Sequence, residues 1–375
     1  MNVTAPLTIR TVTSLEEFKG LAQDWEKLLR TVPGHSLFLT WEWLYIWAKH
    51  FLGDSRLLIL LMFDDQKSLV GIAPLYLHRT KLGLIPVREL RFLGSDRETI
   101  YSSYLDVIAN EKKRAVLQSL YGYLFNEAQE DWDVFTLSEI PAESRTIDLW
   151  NELFDEAGKV GEVVSVTGCP VIRLPGDIET YRAGLGRNRR YTLQRKMKCL
   201  QEAGQIEYSR AMSPSEVDTT LDWLITLHHH RWSAGSSGDA LAVERARRFH
   251  REIAQVLGDK GRASIDLLKL DDRLLAAIYG FMYQGVYYSY LPGFDPADKF
   301  APASPGLLIL YRCITQAICQ GEHAVDLLMG TQPYKLEWAN DMRRSVTLRY
   351  YNRNARALVV KLLESARCAV KILAR

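Results

Sequence analysis

One short segment, VDLLMGTQPYKLEWAN, carries a carboxylate, a phenol and an ammonium at Asp326, Tyr334 and Lys335. Such groups can take up or give back a proton when they stand beside a reacting atom. Just upstream, Ser304-Pro305-Gly306 reads as a helix start, with a polar N-cap followed by proline at the first helical position. The free amides and dipole of a helix start favour an anion, and Gly306 lets a phosphate come close to the backbone. Further back stand His228, His229 and His230. Consecutive helical side chains point about 100° apart, so the three histidines cannot serve one site. His230, with Arg231, is the one expected to face a cleft. No i, i+4 histidine pair is present, and no metal is expected.

A basic run contains Arg187, Arg189, Arg190, Arg195, Lys196 and Lys198, with Leu193, Met197 and Leu200 as its apolar stripe. Two readings are open. It is a solvated helix face covering a sheet, or a cationic rim for phosphates of a ligand.

These residues need a frame. The first half reads as a strand at 7–12, helices at 14–32 and 40–51, and strands at 56–63, 69–78, 90–93 and 104–109. A helix over 111–129, the strand WDVFTLSEI and the helix TIDLWNELFDEAG follow, then a strand at 163–168. The second half reads as helices over 187–203, 214–232 and 240–257, then three strands, ASIDLLKL, RLLAAIYGFMY and VYYSYL, turned at Asp271-Asp272 and Gln284-Gly285. The loop PGFDPADKFAPAS, the helix from Pro305, the strand AVDLLMG, a short helix, the strand SVTLRYYN and a C-terminal helix complete it. The two halves share an element order, which places two domains at 1–168 and 169–375.

At 375 residues with a formal charge of +2, the chain is long enough for two domains and too nearly neutral for a nucleic-acid-binding domain. Its five cysteines have no CxxC spacing and read as reduced thiols. The first residues lack the basic-then-apolar pattern of a secretory signal, and the run Leu57 to Phe63 is too short to span a bilayer. A cytoplasmic protein is expected. The helix ARALVVKLLESARCAVKILAR is amphipathic, with Leu358, Val359, Leu362 and Leu363 on one face. It packs on its own domain or, alternatively, lies on anionic lipid, giving peripheral membrane contact through residues 355–375.

The C-terminal element order resembles the GNAT acyltransferase fold. The resemblance sharpens at a Gly-x-Asp loop (Gly293–Asp295), the Ser-Pro-Gly start (Ser304–Gly306), and a segment with Asp326, Gly330, Tyr334, Lys335 and Trp338. These look like the FemAB-like and cellulose-biosynthesis CelD-type group, as do RNRRYTLQRKMKCLQEAG, LHHHRW and FLTWEWLYIWAKHF. The resemblance implies two tandem GNAT-like α/β domains, each a mixed, mostly antiparallel sheet flanked by helices, the first of them degenerate. It implies acyl-CoA as donor, held by Phe294, Ser304, Gly306, Leu307 and Leu308. Asp326, Tyr334, Lys335 and His230 become the catalytic candidates; Arg190, Arg231, Trp232 and Trp338 become the substrate-binding ones. The loop from Phe294 to Gly306 lacks the Arg/Gln-x-x-Gly-x-Gly/Ala signature of many acetyltransferases.

The reaction expected is acyl transfer to an amine or hydroxyl of a sugar, a lipid-linked saccharide or another envelope or exopolysaccharide precursor. The alternatives are an aminoacyl-tRNA-dependent Fem-type transferase, the only reading that involves nucleic acid, and a non-catalytic scaffold in polysaccharide synthesis.

Overall fold

The computed structural model describes residues 7–95, 99–156, 161–233, 241 and 243–373, with side chains at 156, 231–233 and 367–373 outside the described set. The chain divides into two compact units. The first comprises Met1–Arg97, Tyr101–Thr167 and Arg344–Arg375; the second comprises Glu98–Ile100 and Gly168–Arg343. Residues 344–375, expected in the C-terminal domain, thus cluster with the first unit.

The elements, in chain order, begin with β1 (Thr8–Val12), α1 (Leu15–Lys19), α2 (Ala22–Leu29), α3 (Trp41–Phe51), β2 (Arg56–Phe63), β3 (Leu69–Leu82) and β4 (Ile85–Phe92). Next come β5 (Ile108–Ala109), α4 (Lys113–Gly122), β6 (Val134–Pro141), α5 (Arg145–Glu156) and β7 (Glu162–Arg173). The second unit continues with α6 (Ile178–Gly184), α7 (Arg187–Ala203), β8 (Ile206–Ala211), α8 (Pro214–Ser233), α9 (Glu244–Gly258), β9 (Ala263–Leu270), β10 (Arg273–Tyr283) and β11 (Val286–Phe294). Last are α10 (Pro305–Cys319), β12 (Ala324–Asp326), α11 (Pro333–Trp338), β13 (Asp341–Tyr351) and α12 (Ala355–Leu373).

In the first unit the strands run β1-β2-β3-β4-β6-β13, with β5 paired to β3. The pair β13 and β6 is antiparallel, Leu348 facing Leu137 and Tyr350 facing Phe135. This pairing, with Val360 of α12 packed on Val87 and Val134, is what draws the chain's last segment into the first unit. The helix expected over 14–32 breaks into α1 and α2 at Gly20, whose amide closes the first of them.

In the second unit the order is β7-β12-β11-β10-β9-β8. All pairs are antiparallel except β11 with β12. The β10–β11 hairpin turns at Gln284 (φ 49°) and Gly285 (φ 75°), the left-handed pair that matches strand twist. On one face of this sheet α6, α7 and α10 bury Tyr181, Leu193, Leu200, Leu308, Ile314 and neighbours against Ile278, Tyr287 and Val325. Each Leu or Ile so buried contributes roughly 1.5–3 kcal/mol. The helices α8 and α9 cover β11, β10 and β9. Two elements were not foreseen, α6 and β8.

Candidate active site

The parallel ladder between β11 and β12 lasts three residues, ending where Tyr288 faces Asp326. Beyond it β11 runs on to Phe294, while the other chain leaves through Leu328 (φ 58°) and Gly330 (φ 103°). The two strands therefore part, and the parting is held by side chains. Asp326 is fully buried; its Oδ1 accepts from the Leu328 amide at 2.8 Å, and its Oδ2 lies 3.9 Å from Arg343 Nη1. From the other side Lys335 Nζ donates to the carbonyls of Met329 (2.7 Å) and Leu328 (3.3 Å). A left-handed non-glycine residue costs about 1–2 kcal/mol, which these bonds to Leu328 and Met329 offset. Asp326 and Lys335 are thus anchors of the turn that opens the sheet.

The start of α10 faces the parting. Ser304 occupies the N-cap position but is left-handed (φ 50°, ψ 62°), and its side chain makes no cap bond. The expected serine cap is replaced by a lysine clasp, in which Lys196 Nζ donates to Ser304 Oγ at 2.6 Å and to the Pro302 carbonyl at 3.0 Å. The amides of Leu307 and Leu308 both donate to the Ser304 carbonyl, at 3.0 and 3.3 Å. Pro305 has no amide hydrogen. The Gly306 amide has no acceptor among the described residues. The Phe294 ring lies where a side chain at 306 would go: a Cβ there would sit 3.2 Å from its Cδ1.

A cleft of about 780 Å³ lies in the second unit, between α6–α7 on one wall and Leu307, Trp338 and Asn340 on the other. The Arg189 guanidinium stands over the Trp338 ring, 4.6 Å from its centroid, and 3.4 Å from Glu337. Tyr311 bridges Tyr181 and Trp338 by stacking, at 6.5 and 6.3 Å. Tyr181 lines this cleft; its hydroxyl is buried and without a partner among the described residues, and burial pushes its pKa up. The cleft end of β7 is pinned by Asn340, which exchanges bonds with the Arg173 backbone at 2.7 and 3.1 Å. Arg190, expected on a substrate, directs Nη1 to the carbonyls of Arg182, Ala183 and Leu185 and closes the end of α6.

On the opposite side of β11, α8 packs tightly: a Cβ at Gly293 would lie 3.0 Å from Leu227 Cβ and 3.1 Å from the His228 nitrogen. This contact fixes which histidine does what. His228 is buried, with Nδ1 3.3 Å from the Pro292 carbonyl. His229 is exposed. His230 is partly open to solvent, and its Nδ1 lies 3.2 Å from Asp295 Oδ2, while Asp295 Oδ1 accepts from the Ala297 amide. The side chains of Arg231 and Trp232 lie outside the described residues. Tyr334 is exposed on the first turn of α11. Among the described residues no cluster of His, Cys, Asp and Glu could hold a metal.

The structure therefore draws together Phe294, Gly306 and Leu307, and, through Asp295, His230. Sequence reasoning missed Asp295 as a partner, and it missed Tyr181 and the Arg189–Trp338 stack. The signal for Tyr181 was Asp177, whose carboxylate caps α6 by accepting from the Thr180 amide at 2.7 Å.

Residues 187–336, within this second unit, match the family model described as an acetyltransferase (GNAT) domain. Among solved structures, FemX is similar at 10% identity over 92% of this chain and 97% of its own, with a TM-score of 0.57. A tandem GNAT protein from the clavulanic acid biosynthesis pathway is similar at 10% identity over 93% and 100%, with a TM-score of 0.51. L-PGS from Bacillus licheniformis is similar at 14% identity over 92% and 95%, also at 0.51. A comparison with curated proteins gives no match. The fold is that of tandem GNAT proteins, a mixed α/β sheet flanked by helices. The domain match in the second unit supports an acyltransferase.

Proposed function

We propose that the protein is a member of the FemAB-like and CelD-type group that transfers an acyl group from acyl-CoA to an amine or hydroxyl of a sugar or envelope precursor. The observation that carries this reading is the cleft that ends at Leu307, in the first turn of the helix whose Gly306 amide is unpaired. A diphosphate at that turn meets an amide donor and the positive end of α10. Arg189 and Trp338 offer a cation and an aromatic plate to the rest of the carrier.

In the transfer, the acceptor's nitrogen or oxygen attacks the thioester carbonyl and gives its proton to His230, which Asp295 orients. The new C–N or C–O bond forms, the C–S bond breaks, and the departing thiolate takes a proton, for which Tyr334 is the exposed donor at the mouth of α11. Asp326 and Lys335 act at one remove by holding the strands apart.

Thermal-shift measurements with CoA, short and long acyl-CoAs and charged tRNA test the reading. A CoA species at 100 times its dissociation constant should add about 2.7 kcal/mol of apparent stability. Stabilisation by aminoacyl-tRNA alone transfers the protein to the Fem-type reading, and a flat response to every donor removes the enzymatic one.

A further inference from the structure

The basic run of α7 left two readings open, a solvated face or a rim for phosphates, and its six cations do not share one answer. Arg190 closes the end of α6 with three carbonyl bonds, and Arg189 stands over Trp338. Lys198 pairs with Glu202 at 3.7 Å, one turn along its own helix, and Arg187 and Arg195 are exposed. Lys196 instead turns to the start of α10, where its ammonium donates to the Ser304 hydroxyl at 2.6 Å and to the Pro302 carbonyl at 3.0 Å.

Two features of that contact call for an anion. First, the charge has no counter-charge. Both acceptors are neutral oxygens, and among the described residues no carboxylate pairs with Lys196. The two carboxylates of the preceding loop are engaged elsewhere, Asp295 with His230 and the Ala297 amide, Asp298 with Arg273 and the Phe300 amide. Burial, and then Arg195 beside it, hold the Lys196 pKa below its ordinary value. An ammonium under both influences is stabilised by a nearby negative charge. It carries three donors, of which the protein uses two.

Second, the contact keeps the helix start uncapped. A serine at this position ordinarily accepts from the second or third amide of its helix. Here Ser304 is left-handed and its hydroxyl oxygen receives Lys196, so it makes no cap bond. The Gly306 amide, second in the helix, stays unpaired among the described residues. Lys196 also lies one turn beyond Thr192, which lines the cleft together with Leu307.

We propose that Lys196 binds the diphosphate of the donor, its third N–H and its charge meeting phosphate oxygens beside the Gly306 amide. Ser304 is the residue held aside and Lys196 the one that binds. The inference rests on the acyl-CoA reading for the carrier's identity; the chemistry it names, a diphosphate, is shared by CoA and by a nucleoside diphosphate.

Titration calorimetry of the full chain with CoA, ADP and inorganic pyrophosphate tests it. Lys196→Gln keeps amide donors for Ser304 and Pro302 while removing the charge, and should weaken CoA binding at least about tenfold. Lys196→Arg restores a cation and should stay within about threefold of wild type. Arg195→Gln, exposed and one residue away, is the control for general charge and should cost less than about threefold. Circular dichroism melting establishes that each variant is read as folded protein. Adding Ser304→Ala to Lys196→Gln leaves no hydroxyl to cap Gly306, and binding should remain weak. Recovery in that double variant would reduce Lys196 to a positioning residue and overturn the proposal, as would an equal loss in Arg195→Gln. Equal CoA binding by wild type and Lys196→Gln overturns it and leaves the acyl-CoA reading standing. Lys196-dependent binding of ADP or pyrophosphate without CoA supports it and removes CoA as the carrier. Binding of none of the three overturns both.

Discussion

Each unit contains one short parallel pair reached through a helical crossover, and the two pairs are finished differently. In the first unit β4 and β6 pair from Glu89–Val134 to Arg91–Thr136. In the second, β11 and β12 pair from Val286–Ala324 to Tyr288–Asp326. The first junction is filled by charge. Buried Glu89 accepts from Arg91 at 2.6 Å, from Arg349 at 3.3 Å and from the Thr136 hydroxyl. Burial works to raise its pKa, but Arg91, Thr136 and Arg349 outweigh it and hold the carboxylate below its ordinary value. The second junction is left open, with its charges moved to the turn that follows it. The same local topology thus makes a charge-bolted joint in one unit and a turn anchored by Asp326 and Lys335 in the other.

The strongest way to break the comparison is to unbolt the first junction. Glu89→Leu strands Arg91 and leaves Arg349 with Glu364 alone, and should cost about 3–5 kcal/mol in denaturant unfolding. Turnover per folded molecule should stay unchanged at low temperature; a matching loss of turnover would place the first unit in the catalytic machinery.

Acid should separate the units. His250 in the second unit is wholly buried with neither ring nitrogen bonded among the described residues, and burial, with His228 nearby, lowers its pKa from 6.5 to about 3. The unfolded chain binds that proton below 6.5 while the folded one refuses it, so stability present above 6.5 drains away as pH falls toward 3. The slope is about 1.4 kcal/mol per pH unit within that window. Glu89 acts in the same direction, but only below its ordinary 4.5. Hydrogen exchange should therefore register the second unit loosening at mildly acid pH. Fluorescence from Trp25, Trp43, Trp47, Trp132 and Trp150 of the first unit should hold until lower pH. Coincident transitions, or an unchanged acid slope in His250→Phe, defeat this assignment.

Within the open site the order of effects is also set. His230→Gln should lower kcat by roughly 10²-fold or more in steady-state assays. Asp326→Asn keeps an acceptor for the Leu328 amide and should cost less; a larger loss than in His230→Gln would make Asp326 the base. Arg189→Ala should raise the donor KM by about tenfold with kcat nearly unmoved, the scale of a partly exposed cation–aromatic contact.

Much of the frame was legible because it rests on local rules. The helix α7 spans 187–203 as its period and Gly204 predict, and the hairpin at Gln284-Gly285 follows from residues that tolerate positive φ. The helix from Pro305 begins where proline must. Local rules failed where distant partners decided. The strand expected at 104–109 shrinks to Ile108–Ala109, where β3 supplies the only ladder that region has. Strand β7 runs on through Cys169-Pro170 to Arg173 because β12 pairs with its end.

The site divides along the same line. Residue type and spacing alone determined that a helix start with glycine, a basic helix and a histidine run belong to one half of the chain, since charge, ring nitrogen and absent Cβ are properties of single residues. Only tertiary packing decided that His230 meets the Asp295 carboxylate, because α8 touches β11 at Gly293 and that contact sets its rotation. Packing likewise turned Ser304 into a left-handed acceptor for Lys196, and charge pairing with the sheet turned the leucines of α12 outward. Those outcomes depend on which faces meet across long stretches of chain, and no spacing within one segment encodes them.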